Sequence, residues 1–296
     1  MKYFNSNTVL YLDGKFQKAA SATAEIYEQS LHYGYAVFEG IRAYQTHNGT
    51  RVFKAREHFE RLKRSAELVN LPFPWEVSDL IKQTYKLLQL NNLKDAYIRP
   101  LVYCAPNMSM VSATEVSIMI CAWEWDAYPG DEQLKVGVSS YERPNSNAYP
   151  IAAKVTGTDG NTTLATIEAK RNGFDEALLL DVDGNLAEGP GSNIFIEKNG
   201  KLYTPSLGNI FAGITRATVI ELCHILEIEV IEKNLTVADL KHADSAFFCG
   251  TAAEIAGIKS VDEYQFPIKW NDSVGATIQR TYKCLVLEKQ NYEVII

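Results

Sequence analysis

From Arg56 the apolar positions Phe59, Leu62, Ala66 and Val69 recur at helical spacing, and after the breaker Leu71-Pro72-Phe73-Pro74 a second stripe follows with Val77, Leu80, Ile81, Thr84 and Leu88. Two helices are predicted there. Before them, Val9 to Phe16 carries an Asp13-Gly14 hairpin signal. After them, Ala96 to Tyr103 and Glu115 to Trp123 are rich in β-branched and aromatic residues and read as strands. The first 124 residues therefore predict a small α+β domain. Trp125 to Glu132, centred on Tyr128-Pro129-Gly130, loses all periodicity and reads as an interdomain loop over 125–133.

The remaining stretch, 134–296, predicts a strand-rich domain. Leu134 to Ser139, Glu176 to Asp181, Asn193 to Glu197 and Lys201 to Thr204 read as strands, with hairpin turns at Asp183-Gly184 and Asn199-Gly200. Ile214, Ala217, Ile220, Cys223 and Leu226 then fall on one helical face directly after Gly213. Further strands are predicted over Glu229 to Glu232 and Ser245 to Cys249. No repeat or low-complexity run interrupts the pattern, so solenoids and propellers are excluded.

Composition narrows the function classes. A chain of 296 residues is long for one compact core, which agrees with two domains, and 46% hydrophobic with 22% charged residues is ordinary for a folded protein. A net charge of −7 disfavours nucleic acid and anionic membrane as partners. Five widely spaced cysteines without a CxxC pair predict neither a disulfide framework nor a zinc site, and five scattered histidines contain no HExxH. With no signal-like or membrane-spanning apolar run, a cytoplasmic location is expected.

Candidate chemistry gathers in the second half. Gly213-Ile214-Thr215-Arg216 and Gly250-Thr251-Ala252-Ala253 each combine a glycine and a hydroxyl with small or helix-starting residues, a form that can cradle a phosphate and equally a common cap or turn. Glu188 precedes the stiff turn Gly189-Pro190-Gly191, where an acid could hold a pyridine nitrogen protonated or simply be solvated. Lys154 lies in Pro150-Ile151-Ala152-Ala153-Lys154-Val155, an apolar setting that favours the neutral amine needed for imine formation. Taken singly, a structural lysine would be the commoner reading.

Taken jointly, these residues resemble the fold-type IV pyridoxal phosphate enzymes, and specifically the branched-chain amino-acid aminotransferases. Leu31 to Arg42, containing Phe38-Glu39-Gly40-Ile41-Arg42, is similar to the family's N-terminal signature. Ala55-Arg56-Glu57-His58, Ala96-Tyr97-Ile98-Arg99-Pro100, Ala152-Ala153-Lys154, Glu168-Ala169-Lys170, Glu188-Gly189-Pro190-Gly191, Gly213-Ile214-Thr215-Arg216 and Gly250-Thr251-Ala252-Ala253-Glu254 follow in family order. The resemblance implies a two-domain α+β fold like that of D-amino-acid aminotransferase. It implies Lys154 as the Schiff-base lysine, Glu188 at the pyridine nitrogen, and Arg56, Ile214, Thr215 and Thr251 around the phosphate of pyridoxal 5'-phosphate. Tyr97 with Thr251 and Ala252 would receive the substrate α-carboxylate, Arg99 with Tyr33 and Tyr128 the distal carboxylate of glutamate, and Phe38 would line the side-chain pocket.

The implied reaction is transfer of an amino group between leucine, isoleucine or valine and 2-oxoglutarate, by a homodimer whose sites lie between the domains. Aminodeoxychorismate lyase and D-amino-acid aminotransferase chemistry on the same scaffold stay open, as does a non-catalytic cofactor-binding protein. Two departures from the family pattern stand out. Asp159 falls where the family has a tyrosine that donates to the cofactor's phenolic oxygen, and the loop at Cys104-Ala105-Pro106-Asn107-Met108 is shorter than its family counterpart.

Overall fold

A computed structural model describes residues 3–125 and 133–289. Tyr128 and nearly all of the expected 125–133 loop lie outside them. The chain forms two compact units, Met1–Asp126 with Ala152–Thr158, and Ala127–Ile151 with Asp159–Ile296.

The first unit runs β1 (Val9–Leu12), β2 (Lys15–Lys18), α1 (Gln29–Tyr33), β3 (Ala36–Phe38), β4 (Ile41–Thr46), β5 (Gly49–Val52), α2 (Ala55–Leu68), α3 (Val77–Leu90), β6 (Ala96–Cys104) and β7 (Val116–Glu124). Its sheet has the order β2-β1-β7-β6-β4-β5, with β3 also pairing β6. The long strands β6 and β7 pair antiparallel from Ala96↔Glu124 to Cys104↔Val116. The stripe anticipated in α2 is its buried face, with Phe59, Leu62 and Ala66 fully enclosed, and Leu80, Leu87 and Leu88 do the same for α3.

The second unit continues with β8 (Leu134–Val138), α4 (Asp159–Arg171), β9 (Glu176–Leu180), β10 (Leu186–Gly189), β11 (Ser192–Lys198), β12 (Lys201–Thr204), α5 (Ile214–Ile225), β13 (Val230–Glu232), α6 (Val237–Lys241), β14 (Ser245–Gly250), β15 (Glu254–Val261), β16 (Tyr264–Gln265) and α7 (Val274–Val286). Among the described residues its nine strands follow the order β10-β9-β8-β15-β14-β11-β12-β13, with β16 on β15. Central β14, Ser-Ala-Phe-Phe-Cys-Gly, is buried on both faces, as its apolar run demands. Phe247 stacks on Phe195 at 5.1 Å and meets Trp270 edge-on, while Phe248 joins Leu178, Ile194 and Ile258 in a second layer. The α+β class is as expected.

The segment Ala152–Thr158 departs from the expected boundary, which placed it in the 134–296 domain; it groups with the first unit. Its backbone explains why. Val155 forms an antiparallel bridge to Val37, Phe38 N donates to Lys154 O at 3.1 Å, and Gly157 N donates to Gly34 O at 2.9 Å. The segment is in effect one more strand laid along β3.

Candidate active site

In the first unit, the period of two puts Tyr97, Arg99 and Leu101 on one face of β6, and the register brings Trp123, Cys121 and Phe38 opposite them in that order. Phe38 thus shares a face with Arg99. The ring of Phe38 has the Arg99 guanidinium carbon 4.6 Å from its centroid and the Lys154 Nζ at the same 4.6 Å. Arg99 also lies 5.4 Å from the Tyr97 ring, and its Nη2 donates to Tyr97 Oη at 3.3 Å. Tyr97 is in turn packed at 5.2 Å from both Trp123 and Trp125. Cation–π contacts of this kind are worth about 0.5–2 kcal/mol, more when desolvated, and they orient the cation as well as hold it.

Lys154 is held by its backbone. Its N–H donates to Ser65 Oγ at 3.0 Å, its carbonyl accepts from Phe38 N, and Thr156 Oγ1 donates to Gly34 O at 2.8 Å. Gly34 caps α1 in the left-handed region, φ 64°, and a Cβ there would lie 2.5 Å from Gly157 Cα. Glycine at 34 is therefore needed both for conformation and for close approach.

Beside this arrangement lies a buried ion cluster. Glu39 accepts from Arg61 Nε at 2.6 Å and Nη2 at 2.9 Å, and its Oε2 is 2.8 Å from His58 Nδ1. Burial alone would push the Glu39 carboxyl up, but Arg61 and His58 outweigh it and hold it at about 2. The cluster locks α2, which carries Ser65, to the end of β3, which carries Phe38. Burial pushes the Cys121 thiol up to about 11 against the pull of Arg99, so it is an inert wall of the face.

In the second unit, Glu188, Asn193 and Cys249 form one row across β10, β11 and β14. The Glu188 carboxylate is buried. Its Oε2 accepts from Asn193 Nδ2 at 3.0 Å, both oxygens lie 3.2 Å from Phe211 N, and Arg143 Nε is 2.6 Å from Oε1. Gly213 lies against Asn193, so that a Cβ would come within 2.1 Å of Asn193 Oδ1, and Gly250 backs onto Gly191, where a Cβ would be 2.8 Å from its carbonyl. These contacts gather the Glu188 turn, the start of α5 at Ile214-Thr215, and the Gly250-Thr251-Ala252 turn. The N-cap of α5 is Gly213, which has no side chain to cap with, and the bond from Ala217 N to Gly213 O closes the first turn. The preceding helix N–H groups are oriented for an anion.

Among the expected site residues, Phe38, Tyr97, Arg99 and Lys154 are brought together in the first unit, and Glu188, Ile214, Thr215, Thr251 and Ala252 are gathered in the second. Arg56 and Tyr33 have other contacts within the first unit. Arg56 is exposed in the first turn of α2, its nearest acid Glu60 at 3.9 Å, and Tyr33 donates its hydroxyl to Met108 O. Asp159 opens α4, its carbonyl accepting from Thr162 Oγ1. Ser65, Asn193, Trp125 and Arg143 were not anticipated. For Asn193 the signal was its place after the Gly-Pro-Gly turn, while Arg143 sits in an irregular stretch with no pattern to read.

A pyridine aldehyde phosphate asks for an amine in an apolar setting, an ionised acid shielded from water, and a cradle of backbone N–H groups. Lys154 against Phe38, Glu188 beside Arg143, and the uncapped start of α5 with buried Thr215 fit those demands. Among the described residues no group of His, Cys, Asp or Glu could hold a metal ion, and no helix is long and apolar enough to cross a membrane.

Comparison with known proteins identifies the family. The family model for amino-transferase class IV matches residues 36–261. A branched-chain-amino-acid aminotransferase of Pseudomonas aeruginosa is 38% identical over 295 residues, spanning 98% of this chain and 96% of its own, and one of Escherichia coli K12 is 38% identical over 264 residues, 86% and 85%. A crystal structure of a branched-chain aminotransferase from Thermoproteus uzoniensis with norvaline superposes with a TM-score of 0.92 at 38% identity, covering 96% of each chain. The branched-chain amino acid aminotransferase from Thermobaculum terrenum, in its PLP-bound holo-form, gives 0.90 at 30% identity, covering 97% of this chain and 96% of its own.

Proposed function

The chain belongs to the class IV amino-transferases, and on that premise we propose that it exchanges the amino group of leucine, isoleucine or valine with that of glutamate, using pyridoxal 5'-phosphate attached to Lys154. The observation that carries the reading is the single Phe38 ring flanked by the Lys154 amine and the Arg99 guanidinium. The cofactor, when bound, supplies an electron sink for the pair left when the substrate α-proton departs.

The chain's own residues supply the rest. Lys154 Nζ is the base that accepts the α-proton, and the bonds from Lys154 N to Ser65 and from Phe38 N to Lys154 O fix where that amine stands. Glu188 holds the ring nitrogen. Arg56, Ile214, Thr215 and Thr251 are assigned to the phosphate.

One pocket has to accept both an apolar side chain and a carboxylate. Arg99 lies against the faces of Phe38 and Tyr97, an arrangement that leaves its planar N–H edge for a distal carboxylate while the rings meet an aliphatic chain. Tyr97, with Thr251 and Ala252, is assigned to the α-carboxylate, and Tyr33 and Tyr128 to the distal one. We further assign a homodimer. Exposed Ile26, Tyr27, Leu31, Met110 and Val111, together with an apolar groove of about 540 Å³ in the first unit, favour a covering partner copy.

The test is amino transfer from leucine to 2-oxoglutarate, followed by glutamate formation. Production of glutamate at rates that depend on leucine, isoleucine or valine is expected. Release of pyruvate from aminodeoxychorismate without amino transfer, or transfer from D-amino acids alone, would overturn the reading.

A further inference from the structure

We propose that Arg143 is a positioning residue that keeps the Glu188 carboxylate ionised and aimed, and so sets how strongly this chain favours a protonated pyridine nitrogen; the inference rests on the role assigned to Glu188 above. The Arg143 and Glu188 side chains are 10% and 6% exposed, and Nε stands 2.6 Å from Oε1. Its N–H is not aligned for a hydrogen bond, so the contact is a pairing of charges. Asn193 Nδ2 and Phe211 N, which also donate to the carboxylate, are neutral. They orient the acid without supplying positive charge.

A carboxylate this enclosed without a counter-charge takes up a proton, and a protonated acid pairs with a neutral pyridine rather than a pyridinium. The Arg143 guanidinium, 2.6 Å away, supplies such a counter-charge. Its segment is also anchored as a positioning element would be. Arg143 N donates to Leu180 O at 2.8 Å, and Asn161 Nδ2 donates to Glu142 O at 3.0 Å. Just upstream, Ser139 Oγ and Ser140 N donate to Glu168 at 2.6 and 2.9 Å. These bonds hold the irregular stretch after β8 to β9 and α4. They also give Glu168, the acid of the Glu-Ala-Lys motif, a task.

The test compares binding of pyridoxal phosphate with binding of its analogue in which a C–H replaces the ring nitrogen, both titrated into cofactor-free protein. The wild-type chain is expected to prefer pyridoxal phosphate by about tenfold or more, the worth of one charge-assisted hydrogen bond. Arg143→Met is expected to lose most of that preference while binding the analogue within about twofold of wild type, since the analogue makes no bond at that atom. Arg143→Lys should restore part of it, and in a Glu188→Gln background Arg143→Met should change nothing further. If Arg143→Met does not fold, Arg143→Gln takes its place in the same comparison.

Equal weakening of both ligands, or an undiminished preference, would overturn the role of Arg143 while leaving that of Glu188 intact. A wild-type chain without preference for the ring nitrogen would instead remove Glu188 from that atom, and the proposal with it.

Discussion

Glu39 is fully enclosed and still ionised, because Arg61 grips it through two nitrogens and His58 closes the third side. Removing one partner leaves an uncompensated buried charge, so Arg61→Met is expected to cost about 3–5 kcal/mol in urea unfolding. The pH dependence follows from the same contacts. The folded-state carboxyl titrates at about 2, below its ordinary 4.5, so its stabilisation is complete above about 4.5 and is lost as pH falls toward 2. Glu39→Gln should flatten that acid limb in melting experiments between pH 5 and 2. The role proposed for Arg99 concerns substrates instead of stability. Arg99→Met should raise the KM for glutamate and 2-oxoglutarate by roughly 10–100-fold, the loss of a charged hydrogen bond, while the KM for leucine changes far less.

The element that matters most is the strand-like segment Ala152–Thr158. It is held through Gly34, Ser65 and the edge of β3, with Thr156 Oγ1 donating to Gly34 O and Val155 fully buried. Ser65→Ala should cost about 1 kcal/mol and raise hydrogen exchange over 152–158. Gly34→Ala should do more, because it adds left-handed strain to a collision with Gly157. Helices α2, α3 and α5 and the hairpins at Asp13-Gly14, Asp183-Gly184 and Asn199-Gly200 were legible from periodicity and turn chemistry, since local pattern and tertiary burial agree there.

Helix α4 was not legible. Its Thr162, Thr163 and Gly160 are poor helix formers and it shows no clear apolar stripe; it is held by packing Ala165 and Ala169 on Ala177, Leu179 and Phe174. Helix α7 is also missing from the predicted elements, although it carries a signal: Ser273 as N-cap, with Ala276, Ile278, Tyr282 and Val286 buried. The split origin of the 152–158 segment could not have been read, because it is decided by backbone bonds to residues far away in sequence. The same holds for the Arg143–Glu188 pair.

At the scale of the whole molecule, the first unit holds Lys154 and Arg99 and the second holds Glu188 and the start of α5. Family motifs made those residues visible in the sequence, but not the contacts that hold them, such as the Tyr33 hydroxyl on Met108 O or Arg56 beside Glu60. A homodimer predicts a sedimenting mass of twice 33.1 kDa, and a charged substitution such as Leu31→Glu, at an exposed apolar position, should shift it toward one chain.

The central claim is that Lys154 carries the cofactor. The most direct measurement is reduction of the pyridoxal phosphate-loaded protein with borohydride followed by peptide mapping: a phosphopyridoxyl label on Lys154 is expected, and its loss in Lys154→Ala. A label fixed to any other lysine, or one retained in that variant, would contradict it.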